Sequence, residues 1–542
     1  MFRQMMLMSV VLPFTGCTLV GPDFKEPTAP VAGSFTGIDG KPTSELDTAG
    51  SDQSRQATAP ASQEQLRDWW TVFHDATLDQ LIDNAYKQNL TLLSAGTRVL
   101  EAQATLGVAI GEFYPQQQRL GASVEYDRLS KVDALAAGTP TNFWRALLGY
   151  GSSWELDFWG KFRRGIESAD AAFLASIANY DDVLVTLLGN VATTYIGVRT
   201  LEKQIELANT NIGRQRKALN IAQDRFKNGA TTRLDVYQAQ NVLGATQATV
   251  PALEIQRQEG INALHVLLGM PPGSLDKVLA QSAGIPAPPA GIQLGMPADL
   301  LRRRPDIRHA ELQAAAQSAQ IGVAKADLFP SFSLVGSVGL VSSNVGSANL
   351  GDILTAKSLA YSFGPTVQWN IFNYGQITNN VRVQDARLET LLVDYKNTVL
   401  KAQQEVQDGI ASYVLSRSEA NFLQSSVTAA SGALDLSFVQ YQEGLSDFTT
   451  VLAAEQNVLQ AENNLALTTG QTATSLAAIY RALGGGWEIR AGKDFVPPST
   501  KEEMKERTNW GSILQASSEA APPSREQPAD AQPTQSVRPP SW

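Results

Sequence analysis

Very little in this 542-residue chain can cross-link it, ligate a metal or attract a polyanion. It holds a single cysteine, Cys17, so no intramolecular disulfide can staple the fold. Its three histidines, His74, His265 and His309, lie far apart without ligand-like spacing, and no metal motif can be read from them. Lys and Arg number 43 against 53 Asp and Glu, giving a formal net charge of −10. That balance offers no basic field for gathering phosphates and argues against a nucleic-acid partner. Beyond the N-terminal leader, no run of about 18 apolar residues follows, so any bilayer crossing must be made by strands. No convergent nucleophile, base and oxyanion donors can be assembled, so an enzyme is not expected.

What the chain does have is repetition. Asp157-Phe158-Trp159-Gly160 has a counterpart in Asn370 to Gly375, with Gly375 lying 215 positions after Gly160. The Gly229 of Phe226-Lys227-Asn228-Gly229 returns at the same offset as the Gly444 of Tyr441-Gln442-Glu443-Gly444. Upstream, Gly107 to Pro115 reappears as Gly322 to Pro330, again 215 residues on. Three landmarks at one offset identify two tandem copies of a helix, hairpin, helix, helix unit, over residues 65–270 and 298–487.

Within each copy the period changes twice. Leu78, Leu81, Ala85, Leu92 and Ala95 fall at helical spacing and predict one helix continuing to about Gly111, which Pro115 stops. From Gln118 the period is two: Leu120, Ala122, Val124 and Tyr126 face one way, Arg119, Gly121, Ser123, Glu125 and Asp127 the other. The return strand alternates similarly through Leu148, Tyr150, Trp154 and Leu156, completing a hairpin over residues 116–160. Its copy spans 330–375, with Leu334, Val338, Tyr361 and Phe363 opposed to Ser and Gly. One such hairpin could be a surface sheet with one buried face. Two of them, apolar and aromatic on one side and Ser, Gly and Gln on the other, suit lipid outside and water inside. Four strands cannot close a barrel, and open edges cannot face lipid, so chains must combine. Three chains giving about twelve strands is the smallest plausible channel.

After each hairpin, helical periodicity runs from about Gly165 to Phe226 and from about Asn380 to Tyr441, on the order of 90 Å of helix. Gly229 and Gly444 permit tight turns at the far end, and returning helices run from about Leu234 to Leu268 and Thr449 to Leu483. The expected class is therefore an α+β membrane protein: a homotrimeric twelve-stranded β-barrel continued by a long α-helical barrel. A Pro, Gly and Ala linker at 271–297 separates the copies, and residues 488–542 read as a disordered tail.

The N-terminus has the layout of a secretory signal over residues 1–16, with Arg3, a short apolar stretch and small residues before Cys17. Thr15-Gly16-Cys17 resembles a bacterial lipobox, in which the cysteine is acylated and becomes the mature N-terminus. Thr18, where retained lipoproteins carry Asp, points to the outer membrane. Residues 17–64 would then be an extended, lipidated arm.

Together, Cys17 to Phe24, the paired aromatic and glycine turns and Leu301-Arg302-Arg303-Arg304-Pro305-Asp306-Ile307 resemble the NodT/OprM-type lipoproteins of the TolC-like family. The resemblance implies the Gram-negative outer-membrane duct of a tripartite efflux system. It implies passive export, driven by an inner-membrane pump of the RND type through a periplasmic adaptor, and no cofactor beyond the covalent lipid on Cys17. It further implies that Phe226, Gly229, Leu234, Asp235, Tyr441, Gly444 and Asp447 form the periplasmic tip, where the adaptor docks and the channel is held shut. Arg303, Arg304, Pro305 and Asp306 belong to the family motif. The bare residues also allow Asp306 and Asp235 to be simple helix caps. Ala453 and Ala454 occupy the region where related channels often carry a lumen-facing acid, leaving Asp447 and Glu455 as acidic candidates nearby. An outlet for protein secretion and a non-pore, lipid-anchored scaffold are the competing readings.

Overall fold

A computed structural model describes residues 19–32, 66–130, 132, 140–280, 284–289 and 303–514. The signal, Cys17, most of the N-terminal arm, part of the linker and the last residues of the tail lie outside that set.

The duplication is visible element by element. In the first copy, α1 (Ala76–Gln88) and α2 (Leu90–Phe113) lead to strands β1 (Gln117–Arg128) and β2 (Asn142–Leu156). The long helix α3 (Lys161–Lys227) and the returning helix α4 (Arg233–Leu267) follow. The second copy comprises α5 (Pro305–Ala326), β3 (Ser331–Ser343), β4 (Leu359–Gln368), α6 (Gln376–Gln442) and α7 (Phe448–Ala482). Helices α3 and α6 each contain 67 residues, about 100 Å at 1.5 Å per residue. Both begin after a left-handed glycine, Gly160 at φ 80° and Gly375 at φ 83°.

The single helix expected from Leu78 to Gly111 is two helices, broken at Asn89. Its backbone is extended, its side chain accepts from the Leu92 N–H at 2.8 Å, and its amide donates to the Leu267 carbonyl at 2.8 Å. One residue thus caps α2 and closes the end of α4. Gly269 must approach there: a Cβ on it would stand 2.2 Å from the Gln88 carbonyl oxygen.

The four strands form one antiparallel sheet in the order β1-β2-β3-β4, with the two hairpins joined through β2 and β3. Register places Leu120, Tyr150, Val338 and Tyr361 in one row across the sheet. The adjacent row on the other face is Gly121, Gly149, Gly339 and Ala360. A continuous apolar face thus backs a face of small and polar residues, and β1 and β4 remain open edges.

The main core lies where the middle of α3 meets α1, α2 and α7. Trp69 is fully buried and stacks on Tyr480 with ring centroids 5.4 Å apart. Among the described residues, one window is apolar enough to cross a bilayer by composition. It lies in α3, and half of it is buried inside the protein, so its apolarity serves packing.

The tail expected to be disordered from residue 488 is folded as far as Leu514. Arg490 donates twice to the buried Asp181 carboxylate, and α8 (Pro498–Arg507) follows. Val496, Met504 and Leu514 bury Leu100 of α2. Apolar residues this sparse among Lys and Glu carry no periodic signal, which is why composition misjudged the segment.

At the other terminus, residues 19–32 run extended along the helices. The Val20 N–H donates to the Trp159 carbonyl, Arg164 binds Val20 and Asp23, and Gln403 clasps Pro30 and Ala32. The arm's start is therefore fixed at the junction between sheet and helices from Val20, three residues after Cys17.

Candidate functional site: the helical tip

At the end of α3 and α6 far from the sheet, both chain reversals use the same device. The Gly229 N–H donates to the Phe226 carbonyl and the Ala230 N–H to Arg225. In the copy, Gly444 donates to Tyr441 and Leu445 to Gln440. These paired bonds satisfy carbonyls orphaned by the helix end and require a left-handed residue, supplied at φ 70° and 74°.

The two reversals are tied to one another asymmetrically. Arg225 Nη1 donates to the Tyr441 carbonyl at 2.7 Å and the Gln442 carbonyl at 2.8 Å, and its guanidinium lies 4.7 Å from the Tyr441 ring centroid. A cation at the carboxyl end of α6 also opposes that helix's negative pole. Tyr441 in turn donates from its hydroxyl to Asp235 at 3.3 Å, and Asp235 also accepts from the Thr231 hydroxyl. Burial pushes the Tyr441 hydroxyl above its ordinary pKa and keeps it a donor. The Phe448 ring, 5.0 Å away, covers it.

The structure therefore joins Asp235, Tyr441 and, through Arg225, the turn at Gly444. Asp235 is not the cap of α4: Thr232 occupies that position, and Asp235 lies in the first turn, where a carboxylate favours the helix N-terminus. Phe226 lies under Arg233, partly exposed, and Leu234 is exposed. Asp447 precedes α7 as an exposed residue with no side-chain capping bond, and it takes no part in the tie. Glu455 is only 2% exposed, so it packs inside the protein and does not face a lumen.

Arg225 escaped the sequence reading. Its signal was available: at the equivalent position the second copy has Gln440, a departure from the repeat at a helix end.

The family motif lies elsewhere, about 50 Å away along α7 by helical rise. Arg304 is buried and grips Asp306 with two nitrogens at 3.0 and 2.8 Å, reaches Glu405 at 2.9 Å, and donates to the Ala482 carbonyl. It does for α5 and α7 what Asn89 does for α2 and α4. Asp306 does not cap the helix: Arg304 is the N-cap residue, Pro305 opens the first turn, and Asp306 holds the guanidinium in place. Arg303, partly exposed, precedes this cluster.

A four-stranded contribution to a membrane sheet, two helices of about 100 Å and a knotted pair of reversals at their end define a subunit of an outer-membrane channel. The family model described as outer membrane efflux protein matches residues 81–270 and 296–485, two spans offset by the same 215 residues. Nodulation protein T of Rhizobium leguminosarum bv. trifolii is 28% identical over 476 residues, covering 88% of this chain and 96% of that protein. The toluene efflux pump outer membrane protein TtgI of Pseudomonas putida is 30% identical over 492 residues, 89% of this chain and 98% of its own. Among solved structures, the outer-membrane channel OprN aligns with a TM-score of 0.76 at 30% identity, covering 86% of this chain and 99% of that one. The chain belongs to the outer membrane efflux protein family. It is an efflux channel of the Gram-negative outer membrane, and its four strands are one third of a homotrimeric twelve-stranded barrel.

Proposed function

We propose that the trimer is the passive exit duct of a tripartite pump, driven by an inner-membrane transporter of the RND type and joined to it by a periplasmic adaptor. The adaptor docks at the tip built from Phe226, Gly229, Leu234, Asp235, Tyr441, Gly444 and Asp447, and an acylated Cys17 anchors the arm in outer-membrane lipid. The observation that carries the reading is the Arg225–Tyr441–Asp235 tie. It fastens one helical pair to the other at the end remote from the sheet, where a duct of this length must open towards its supplier. Exposed apolar side chains at the reversals, Leu234 and Leu445, give a partner something to cover. That relatives of this chain are named for exports as unlike as toluene and pyoverdine supports a reading in which substrate choice lies with the pump.

The test uses the single native cysteine to advantage. With Cys17 acylated, Leu445→Cys supplies the only free thiol, and a photoreactive label there should cross-link the adaptor in cells. The same label at an exposed position of the membrane sheet, Tyr361→Cys, should not. Equal labelling of both, or of neither, refutes docking at the tip.

A further inference from the structure

Among the described residues, one buried acid near the tip has no partner to justify it. Asn211 of α3 donates to Glu462 of α7 at 2.7 Å, and Gln204 donates to Asn463. These bonds tie the two antiparallel helices together. Closer to the tip, in the register by which Gly189 meets Arg481 and Gly470 meets Thr200, Glu455 falls opposite Gln215 of α3. Buried itself, Glu455 lies on α7 between Val451, Leu452 and Val458, which form one apolar cluster with Ala218 of α3 and Leu434 of α6. Among the described residues its Oε1 is buried without a hydrogen-bond partner, and so are both amide atoms of Gln215.

The charged groups on every surrounding helix leave it uncompensated. On α3, Arg214 is engaged by Glu462, and Arg216 and Lys217 are exposed. On α6, Asp435 is exposed. At the tip, Arg225 and Asp235 are committed to Tyr441, and Arg233 lies over Phe226. Just before α7, Asp447 is exposed, and on α7 itself Glu462 is held by Asn211 and Arg214. The equivalent of Glu455 in the first copy is Gln240, a neutral residue of the same shape.

We infer that Glu455 is a proton-dependent latch of the closed tip. As the neutral acid it is tolerated between α3 and α6. As the carboxylate it must draw in water or swing α7 outwards, loosening the packing that holds the two reversals together. Burial raises its pKa from 4.5 to about 7. A carboxyl raised in the packed state and ordinary in the hydrated one leaves packing intact below about 4.5, weakens it progressively towards 7, and adds nothing further above. The inference rests on the tip being the gate, so two readouts are needed.

The first is hydrogen exchange of α7 amides 451–459 in the intact trimer at pH 5.5 and 8, corrected for intrinsic rates. The wild type should lose protection at the higher pH, by up to about tenfold in opening constant per pH unit between about 5 and 7. Glu455→Gln should remain protected at both. The second is single-channel open probability in planar bilayers over the same range, which should rise with pH in the wild type and stay flat in Glu455→Gln. Exchange that is pH-independent in the wild type, or unchanged by the substitution, overturns the latch. A latch seen in exchange but absent from conductance supports the latch and refutes the tip as the gate.

Discussion

Replacing Arg225 by the residue its own repeat carries, Arg225→Gln, isolates the tie between the reversals. The substitution removes two charge-assisted hydrogen bonds to the Tyr441 and Gln442 carbonyls and a guanidinium 4.7 Å from an aromatic ring. Such bonds contribute about 1.5–3 kcal/mol each when well enclosed. Gln442 is exposed, so water replaces part of the loss, and about 1–2 kcal/mol per chain is the reasonable figure. If three chains release together, the closed state loses about 3–6 kcal/mol. At 1.4 kcal/mol per tenfold, that shifts opening by roughly 10² to 10⁴. The assay is single-channel recording of the purified trimer, with trimer mass and thermal stability confirming that the rest of the molecule is intact. The sheet and main core lie far from the substitution and should not respond. An intact trimer with wild-type open probability would refute the idea that this tie holds the tip shut.

Arg304→Asn also substitutes the residue of the other copy, but here the exchange should fail. It leaves Asp306 and Glu405 without their cation beside the half-buried Asp182, whose carboxyl burial already raises to about 6, and should cost about 3–5 kcal/mol, read as a lowered melting temperature and trimer yield. Truncation after Leu514 should be silent. Truncation after Trp487 removes Arg490 from Asp181 and uncovers Leu100, and should destabilise the chain by several kcal/mol in the same melting assay.

The repeat, the strands and the long helices were legible because their signals are local: apolar residues two, three or four positions apart, and glycine where a left-handed turn must be made. The offset of 215 seen in three motifs holds for the first residues of α2 and α5, and for both ends of α3 and α6 and of α4 and α7. The break at Asn89 was not legible, because its cause is a carbonyl 178 residues away. The folded tail was missed because its few apolar residues meet α2 only after the chain has returned to it. At the tip, Asp235 and Tyr441 could each be singled out by their place beside a turn. That they bond across 206 residues, and that Arg225 caps the opposite helix, depends on how the two copies are laid together.

The amino-acid sequence by itself determined the duplicated unit, its order of helix, hairpin, helix and helix, and the alternating faces that make four strands a fragment of a barrel. Only tertiary structure decided what equivalent positions do. Gln240 and Glu455 occupy the same place in the repeat, yet in the chain the first is exposed and the second buried. Helix α7 is packed by both α3 and α6, whereas α4 packs chiefly on α3. Asn89 and Arg304 make the same closure with different chemistry because the second also faces a carboxylate of its own helix, Asp306, and one of a neighbouring helix, Glu405. Periodicity is a property of neighbours in sequence, and burial is a property of whatever the rest of the chain brings alongside.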